Sequence, residues 1–249
     1  MTHSHIYGLH AVLSLLQHHP ERVLRLCVQR DKQEKKLETL LQIATQENVV
    51  IALLSKQELD RMTQEANHQG VIAECKKSPA YTERDLASIL QQATTPPFVL
   101  VLDGVQDPHN LGACFRAADA AGVHAIIAPK DKAVGVTAVV SKVASGAVET
   151  VPFVQVTNLV RTLEILKELG VWIYGACAEA KQTLYQTDLT GPVAMVLGAE
   201  GTGLRRLTRE HCDALINIPM RGTVASLNVS VAAGIFLFEV VRQQQKNRT

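Results

Sequence analysis

The sequence predicts an α/β protein in two parts: a small αβα sandwich over residues 1–75, and a mostly parallel sheet with helices on both faces over residues 97–249. Three observations carry this expectation. Short β-rich runs alternate with stretches of helical spacing along the whole chain. In the second part the strand-like runs are continuously apolar, as in strands buried on both faces. Between the parts, KKSPAYTERDLASILQQATTPP carries Pro79, Pro96 and Pro97 at its edges and reads as a linker over 76–96 with a short helix.

The first part opens with a helix, Leu9 to Leu16, then a short strand, Val23 to Val28. Lys35 to Thr45 is helical again, with Leu37, Leu40, Leu41 and Ala44 on one face. Val49 to Leu53 is a strand, Ser55 caps a short helix with Glu58 three residues on, and Gly70 to Ala73 opens another strand. In the second part the strands are FVLVLD (98–103), HAIIA (124–128), PFVQV (152–156), VWIYGA (171–176), VAMVLG (193–198) and ALINIP (214–219). Helices are expected at 110–121, 137–147, 158–169, 204–211 and 227–244. In such sheets ligands bind beyond the carboxyl ends of the strands, and the motifs fall there.

Composition narrows the function. The 47% hydrophobic and 20% charged residues among 249 describe an ordinary globular chain with enough apolar material for a core. The 25 basic and 24 acidic side chains nearly cancel, so any nucleic acid must be met by a local patch. Candidate patches are Lys32 with Lys35 and Lys36, Lys76 with Lys77, and Arg205 with Arg206 and Arg209; singly, each also fits a solvated helix face or linker. Aromatics make up 4%, too few for a platform on which single-stranded bases stack. Five widely spaced cysteines without a C-x-x-C pair read as thiols in a reducing compartment, neither a disulfide frame nor a zinc site. His3, His5, His18 and His19 lie near a terminus expected to be mobile, and no H-E-x-x-H or G-x-S-x-G motif is present. With no signal-like apolar run at Met-Thr-His-Ser-His, and polar residues throughout Gly222–Phe238, the expectation is a cytoplasmic protein without a membrane span.

Three segments can carry chemistry. In LDGVQDPHNLGACFRAADAAG (102–122) a strand ends at Asp103-Gly104 and Asn110 sits where a helix N-cap belongs. Leu111, Phe115 and Ala118 form the buried stripe and direct Arg116 elsewhere. Arg116 can hold a phosphate with its planar fork of donors, or simply pair with Asp119; the local pattern alone favours the second. In VLGAEGTGL (196–204) the order G-x-x-G-x-G differs from the dinucleotide fingerprint, and Glu200 would repel a pyrophosphate. A nucleoside ligand without phosphates fits this loop better; a plain strand-to-helix turn fits equally well. In INIPMRGTVASLNVSVAAGIFLFE (216–239), Ser226 and Asn228 straddle Leu227 ahead of a long apolar helix, two capping residues where one suffices. Ala232, Ala233 and Gly234 permit that helix to pack closely on a neighbour, including another subunit.

These three segments, in this order, resemble the SpoU/TrmH family of S-adenosylmethionine-dependent RNA 2′-O-ribose methyltransferases, within the SPOUT superfamily. The resemblance covers 97–249. IYGLHAV (6–12), NHQGVIAE (67–74) and SKVASGAVETVPFVQVTNLVRTLEILKE (141–168) are similar to the members that methylate 23S ribosomal RNA. For residues 1–75 the resemblance implies an RNA-binding domain like a small ribosomal protein. For the second domain it implies a deep trefoil knot over about 193–244 that binds the cofactor. It implies cofactor contacts at Gly198, Ile218, Met220 and Leu227, a catalytic centre of Asn110, Arg116, Glu200, Ser226 and Asn228, and no metal. The implied substrate is a guanosine in the peptidyl-transferase-centre P loop of large-subunit rRNA. The implied assembly is a homodimer, with Arg116 reaching across the subunit interface and neither DNA nor a membrane as partner. Phe115 and Ala117 stand where the family often has leucine and serine, and 133–137 is looser than usual. A tRNA guanosine methyltransferase, a resistance methylase and a non-catalytic ribosome-assembly protein are the alternatives. A nicotinamide-dependent oxidoreductase is disfavoured by the glycine order.

Overall fold

The computed structural model describes residues 3–30, 32, 35–76 and 80–246. Its first elements are β1 (His3–Tyr7), α1 (Leu9–His18), β2 (Val23–Gln29), α2 (Lys35–Gln46), β3 (Ile51–Leu54), α3 (Lys56–Thr63) and β4 (Val71–Lys76). Then come α4 (Leu86–Gln91), β5 (Phe98–Asp103), α5 (Pro108–Ala121), β6 (Ala125–Pro129), α6 (Ala138–Val143), β7 (Phe153–Val156) and α7 (Leu159–Glu168). The last are β8 (Trp172–Ala176), β9 (Gln182–Thr183), β10 (Val193–Gly198), α8 (Arg206–Glu210), β11 (Ala214–Asn217) and α9 (Val229–Lys246). The chain divides into two compact units, Met1–Pro79 with Val136–Thr150, and Ala80–Gly135 with Val151–Thr249.

In the first unit a four-stranded sheet runs in the order β1-β4-β2-β3. Leu15, Leu16, Leu37, Leu40 and Ala44 of α1 and α2 bury one face, and Leu59 of α3 packs with Tyr7, Cys27 and Ile72 on the other. The expected αβα sandwich is therefore present, and Ser55 and Glu58 form the expected capping box on α3. The N-terminus is a correction. His3–Tyr7 is not a mobile tail but a strand, paired antiparallel from His3↔Lys76 to Tyr7↔Ile72, because the apolar Ile6 and Tyr7 need cover and the open edge of β4 supplies backbone partners.

Residues 136–150 belong to this unit as well. The sequence reads 137–147 as one helix between strands of the second sheet, yet the helix is only Ala138–Val143, capped by Thr137, and the remaining residues turn. Lys142 lies over the Tyr7 ring, 5.7 Å from its centroid, and Ser14 Oγ donates to the Gly146 carbonyl at 2.9 Å. Glu149, whose side chain is 3% exposed, forms an ion pair with Arg22, 9% exposed. Apolar spacing says that a helix needs a surface to cover; it does not say which sheet offers one.

In the second unit seven strands run β7-β6-β5-β10-β8-β11-β9, with every pairing parallel. α4 and α7 cover one face through Leu86, Leu90, Leu159, Leu163 and Leu166, while α9 lies against both α5 and β10. The stretch expected as linker therefore contributes α4 to this core. Strand β9, two residues long, carries no apolar pattern and is invisible in the sequence. Strand and helix bounds shift at 214–219, 204–211 and 227–244, which end or begin at Asn217, Arg206–Glu210 and Val229.

Candidate functional site

The register of the sheet brings the motifs together. β10 pairs with β5 from Val193↔Phe98 to Gly198↔Asp103, so the first and second motif segments leave the sheet side by side at its carboxyl edge. Here the chain reverses direction across the sheet, the switch point where open α/β sheets bind ligands. Asp103, 1% exposed, accepts the backbone N–H of Arg205 at 2.9 Å and lies 3.4 Å from its guanidinium, which ties the end of the Gly198–Leu204 loop back to β5.

Gly198 is a glycine for a steric reason. A Cβ there would stand 2.0 Å from the carbonyl carbon of Gly203, because the loop folds back on itself with Gly203 N–H donating to the Ala199 carbonyl. Gly203 has φ +65, the left-handed conformation that side chains disfavour. The tight-turn reading of this loop thus accounts for its glycines, and the turn also leaves an open concavity beside it.

That cavity has a volume of about 400 Å³ and opens at the carboxyl ends of β8, β10 and β11. Leu197, Gly198, Ile216, Ile218, Leu227 and Phe236 give it an apolar wall; Gly198, Ile218, Met220 and Leu227, the expected cofactor contacts, all line it. Its size and lining suit a nucleoside-sized ligand. Ser226 and Glu200 are at its mouth.

Glu200, Asn110 and Asn228 form one network. Oε1 of Glu200 accepts the Asn110 amide at 2.9 Å and the Asn228 amide at 2.7 Å, and the Val229 backbone N–H stands 3.4 Å away. The Asn228 amide also donates to Asn110 Oδ1 at 3.0 Å. Asn228 caps α9 as expected, its Oδ1 accepting the Ser230 backbone N–H at 2.9 Å. Asn110 does not cap α5. Asp107 does, accepting the His109 N–H at 2.9 Å, since Pro108 has no N–H and its fixed φ suits the first helical position. Asn110 is one turn in, 8% exposed, and its side chain is available for the network.

Arg116 points away from the buried stripe as expected; it is exposed, does not line the cavity, and has no hydrogen-bond or ion-pair partner among the described residues. The three arginines of the expected patch are each ion-paired: Arg205 with Asp103, Arg206 with Glu210 and Arg209 with Glu179. Lys77 and the side chain of Lys35 lie outside the described residues.

The sequence reading missed Cys177 and Glu179 as cavity residues and took Arg209 for a basic patch, whereas all three line the cavity. The Cys177 thiol donates to Glu179 Oε2 at 2.9 Å. Burial and that carboxylate push the thiol pKa up, and the thiol holds the Glu179 carboxyl below its ordinary range. For two of them the signal was available: Cys177 and Glu179 follow VWIYGA, whose carboxyl end adjoins β10. Among the described residues no His, Cys, Asp and Glu side chains group as a metal site, and no helix is long and apolar enough to cross a membrane.

A parallel α/β sheet with a glycine-bounded cavity at its switch point and an Asn–Glu–Asn network at the mouth defines an enzyme of the nucleoside-binding type. The SpoU rRNA Methylase family matches residues 97–238, and the RNA 2′-O ribose methyltransferase substrate-binding family matches residues 5–81. This chain belongs to the SpoU rRNA methylase family. It is 55% identical to the 23S rRNA (guanosine-2′-O-)-methyltransferase RlmB of Pseudomonas putida over 243 residues, 98% of each chain. To the protein of the same name from Escherichia coli it is 53% identical over 239 residues, 96% of this chain and 98% of that one. Its fold matches the SpoU methyltransferase AviRb from Streptomyces viridochromogenes, solved in complex with the cofactor AdoMet, with a TM-score of 0.81 at 24% identity, covering 98% of this chain and 91% of that one.

Proposed function

We propose that this enzyme transfers a methyl group from S-adenosylmethionine to the ribose 2′-hydroxyl of a guanosine in the P loop of 23S rRNA. The observation that carries the reading is the convergence of all three motif segments on one network, Asn110–Glu200–Asn228, at the mouth of a cavity of about 400 Å³. The choice of 2′-oxygen, guanosine and 23S rRNA rests on the names of relatives that match along nearly the whole chain.

The residues present fit the cofactor. Ile218, Met220 and Leu227 offer apolar surface to an adenosine, and the Gly198–Gly203 turn exposes backbone groups beside it. When bound, S-adenosylmethionine supplies an electrophilic methyl on a sulfonium. The protein must hold the ribose hydroxyl in line with that methyl and ease departure of its proton. Arg116 is the group for the second task. A guanidinium stays protonated, so it acts by stabilising developing negative charge on the 2′-oxygen, together with the neighbouring phosphate, and not as a base. Ser226 and Asn228 position the ribose, and Glu200, its Oε1 fixed by two amides, orients the arginine or a donor on the substrate.

Arg116 reaches the site from a second copy of the chain in this reading. Support comes from α9, where Val231 and Phe238 are 52% and 48% exposed and Ile235 is half-buried, an apolar stripe at i, i+4, i+7 on the helix that packs against α5. The first unit binds the RNA, and the second carries the knotted methyltransferase domain. The enzyme works in the cytoplasm, where the rRNA is made.

The test is methyl transfer to unmodified 23S rRNA and, separately, to unmodified tRNA, with the product mapped by mass spectrometry. A 2′-O-methylguanosine in the P loop of the rRNA alone is the expected result; methylated tRNA alone would replace the substrate.

A further inference from the structure

We infer that the first unit grips RNA through its phosphates alone, at the end of the sheet where α1 and α2 begin, with Lys36, His10 and Lys32 as the contact residues. The inference rests on the RNA reading above and adds where and how the grip is made.

The pairing registers Gln29↔Leu54, Val28↔Val71 and Tyr7↔Ile72 bring the ends of β1, β2 and β3 and the start of β4 to one end of the sheet. The loops there touch one another. Lys32 Nζ donates to the Gln69 carbonyl at 2.9 Å, and Gln69 Oε1 accepts the Leu9 N–H at 3.0 Å, which locks the start of α1. Lys36, in the first turn of α2, reaches His10 Nε2 at 3.3 Å. His10 and Lys36 are exposed.

The two arginines of β2 and the turn before it are already neutralised. Arg22 is neutralised by Glu149 and Arg25 by Glu74, whose two oxygens accept both ends of the guanidinium. Lys36 bonds only to an imidazole, and among the described residues no carboxylate pairs with it. A surface ammonium without a carboxylate partner is ready for an external anion.

Composition fixes what that anion is. Tyr7 is the only Phe, Trp or Tyr between positions 1 and 79, positions 136–150 have none, and Tyr7 is 6% exposed. Apart from histidine, whose exposed His10 ring is engaged by Lys36, the unit therefore has no ring on which a base can stack, a principal means by which proteins hold single-stranded RNA bases. Cations without stacking surfaces bind the backbone, which positions RNA and carries no sequence information. Sequence choice is then left to the methyltransferase unit.

The full-length protein would be titrated with a P-loop RNA hairpin and with a scrambled hairpin of equal length and charge, over a range of salt, for the wild type, Lys36→Glu, and His10→Ala with Lys36→Glu. Arg25→Ala, which removes an already neutralised cation, is the comparison. At about 50 mM salt Lys36→Glu should weaken both hairpins by the same factor, about ten-fold, and flatten log Kd against log salt by about one unit. Unfolding temperature and S-adenosylmethionine affinity should not change, since Lys36 is outside the cavity. An unchanged salt slope, or a loss as large in Arg25→Ala, would overturn the placement while leaving the RNA reading intact. Weakening confined to the P-loop hairpin would overturn the claim that this end ignores sequence. A wild type that binds neither hairpin would overturn the RNA reading itself.

Discussion

Glu200 gathers two asparagine amides on a single carboxylate oxygen while remaining exposed, so its removal should damage chemistry more than folding. Water can replace the lost acceptor at the surface, and Glu200→Ala should shift stability by only about 1 kcal/mol. Methyl transfer should fall by about a hundred-fold with cofactor affinity little changed, as for loss of a preorganised polar group. Steady-state kinetics beside calorimetric cofactor titration checks this; equal losses in both would make Glu200 a cofactor contact instead. Cys114 offers a prediction of another kind. Burial pushes its thiol up to about 12, with the charge of Glu200 adding to the effect. In the unfolded chain the thiol ionises at about 8.5. Between those values the folded state holds the proton more tightly, so its contribution to stability is complete below about pH 8 and declines as pH rises, by up to about 1.4 kcal/mol per pH unit. Urea unfolding at a series of alkaline pH values should show a shallower decline in Cys114→Ala than in wild type. Residue types alone read the two asparagines as helix caps, whereas the family resemblance singled out Asn110, Glu200 and Asn228. Their mutual bonds, across 90 and 118 residues from Asn110, depend on strand register and could not be read in the chain.

Elements were more legible than their ends. Continuous apolar runs located each long strand of the second sheet within a residue or two at its start, because strands buried on both faces tolerate few polar residues. Helix starts were misplaced where two capping types compete. At α5 Asp107 takes the cap and Asn110 is left for the network, which separates two substitutions by effect. Asp107→Ala should cost about 1 kcal/mol of stability with modest loss of turnover. Asn110→Ala should cost turnover far more than its stability change explains; thermal unfolding and single-turnover rates on the same samples decide. The segment 136–150 was assigned by the sequence to the wrong neighbour, since its few apolar residues suit either sheet. Its hold on the first unit is electrostatic as well as apolar. Glu149→Gln would leave the guanidinium of Arg22, 9% exposed, without its counter-charge. Breaking one side of a buried pair costs about 3–5 kcal/mol, which should appear in chemical denaturation of the full-length protein. A cost under about 1 kcal/mol would mean that water reaches the pair.

At the scale of the whole molecule, α9 has two apolar sides. Ala233, Phe236, Leu237 and Val240 are buried within the unit, while Val231, Ile235 and Phe238 form a second stripe toward solvent. An amphipathic helix has one buried face, and a run that is apolar nearly all round belongs between two surfaces. Periodicity therefore failed here for a physical reason: the helix GIFLFEVV signals burial on every side, and the sequence does not say that one side awaits another chain. Small residues Ala232 and Gly234 bring such a helix close to a partner. If the second copy covers this stripe and brings Arg116 to the site, one charge on it should abolish both assembly and catalysis. Phe238→Glu lies on the exposed face, so each subunit keeps its core, and its cavity is untouched because Phe238 does not line it. Light scattering should then report a particle of 27.1 kDa where the wild type gives about twice that mass. Cofactor should still bind while methyl transfer is lost. Adding Arg116→Ala protein, whose intact stripe and cavity can pair with neither fault repaired, should not rescue it. A mixture of Arg116→Ala and Ser226→Ala proteins should instead regain about a quarter to a half of wild-type turnover, because a mixed dimer contains one site with both residues intact if Arg116 acts across the interface. No gain on mixing, with mixed dimers present, would put Arg116 in the site of its own subunit.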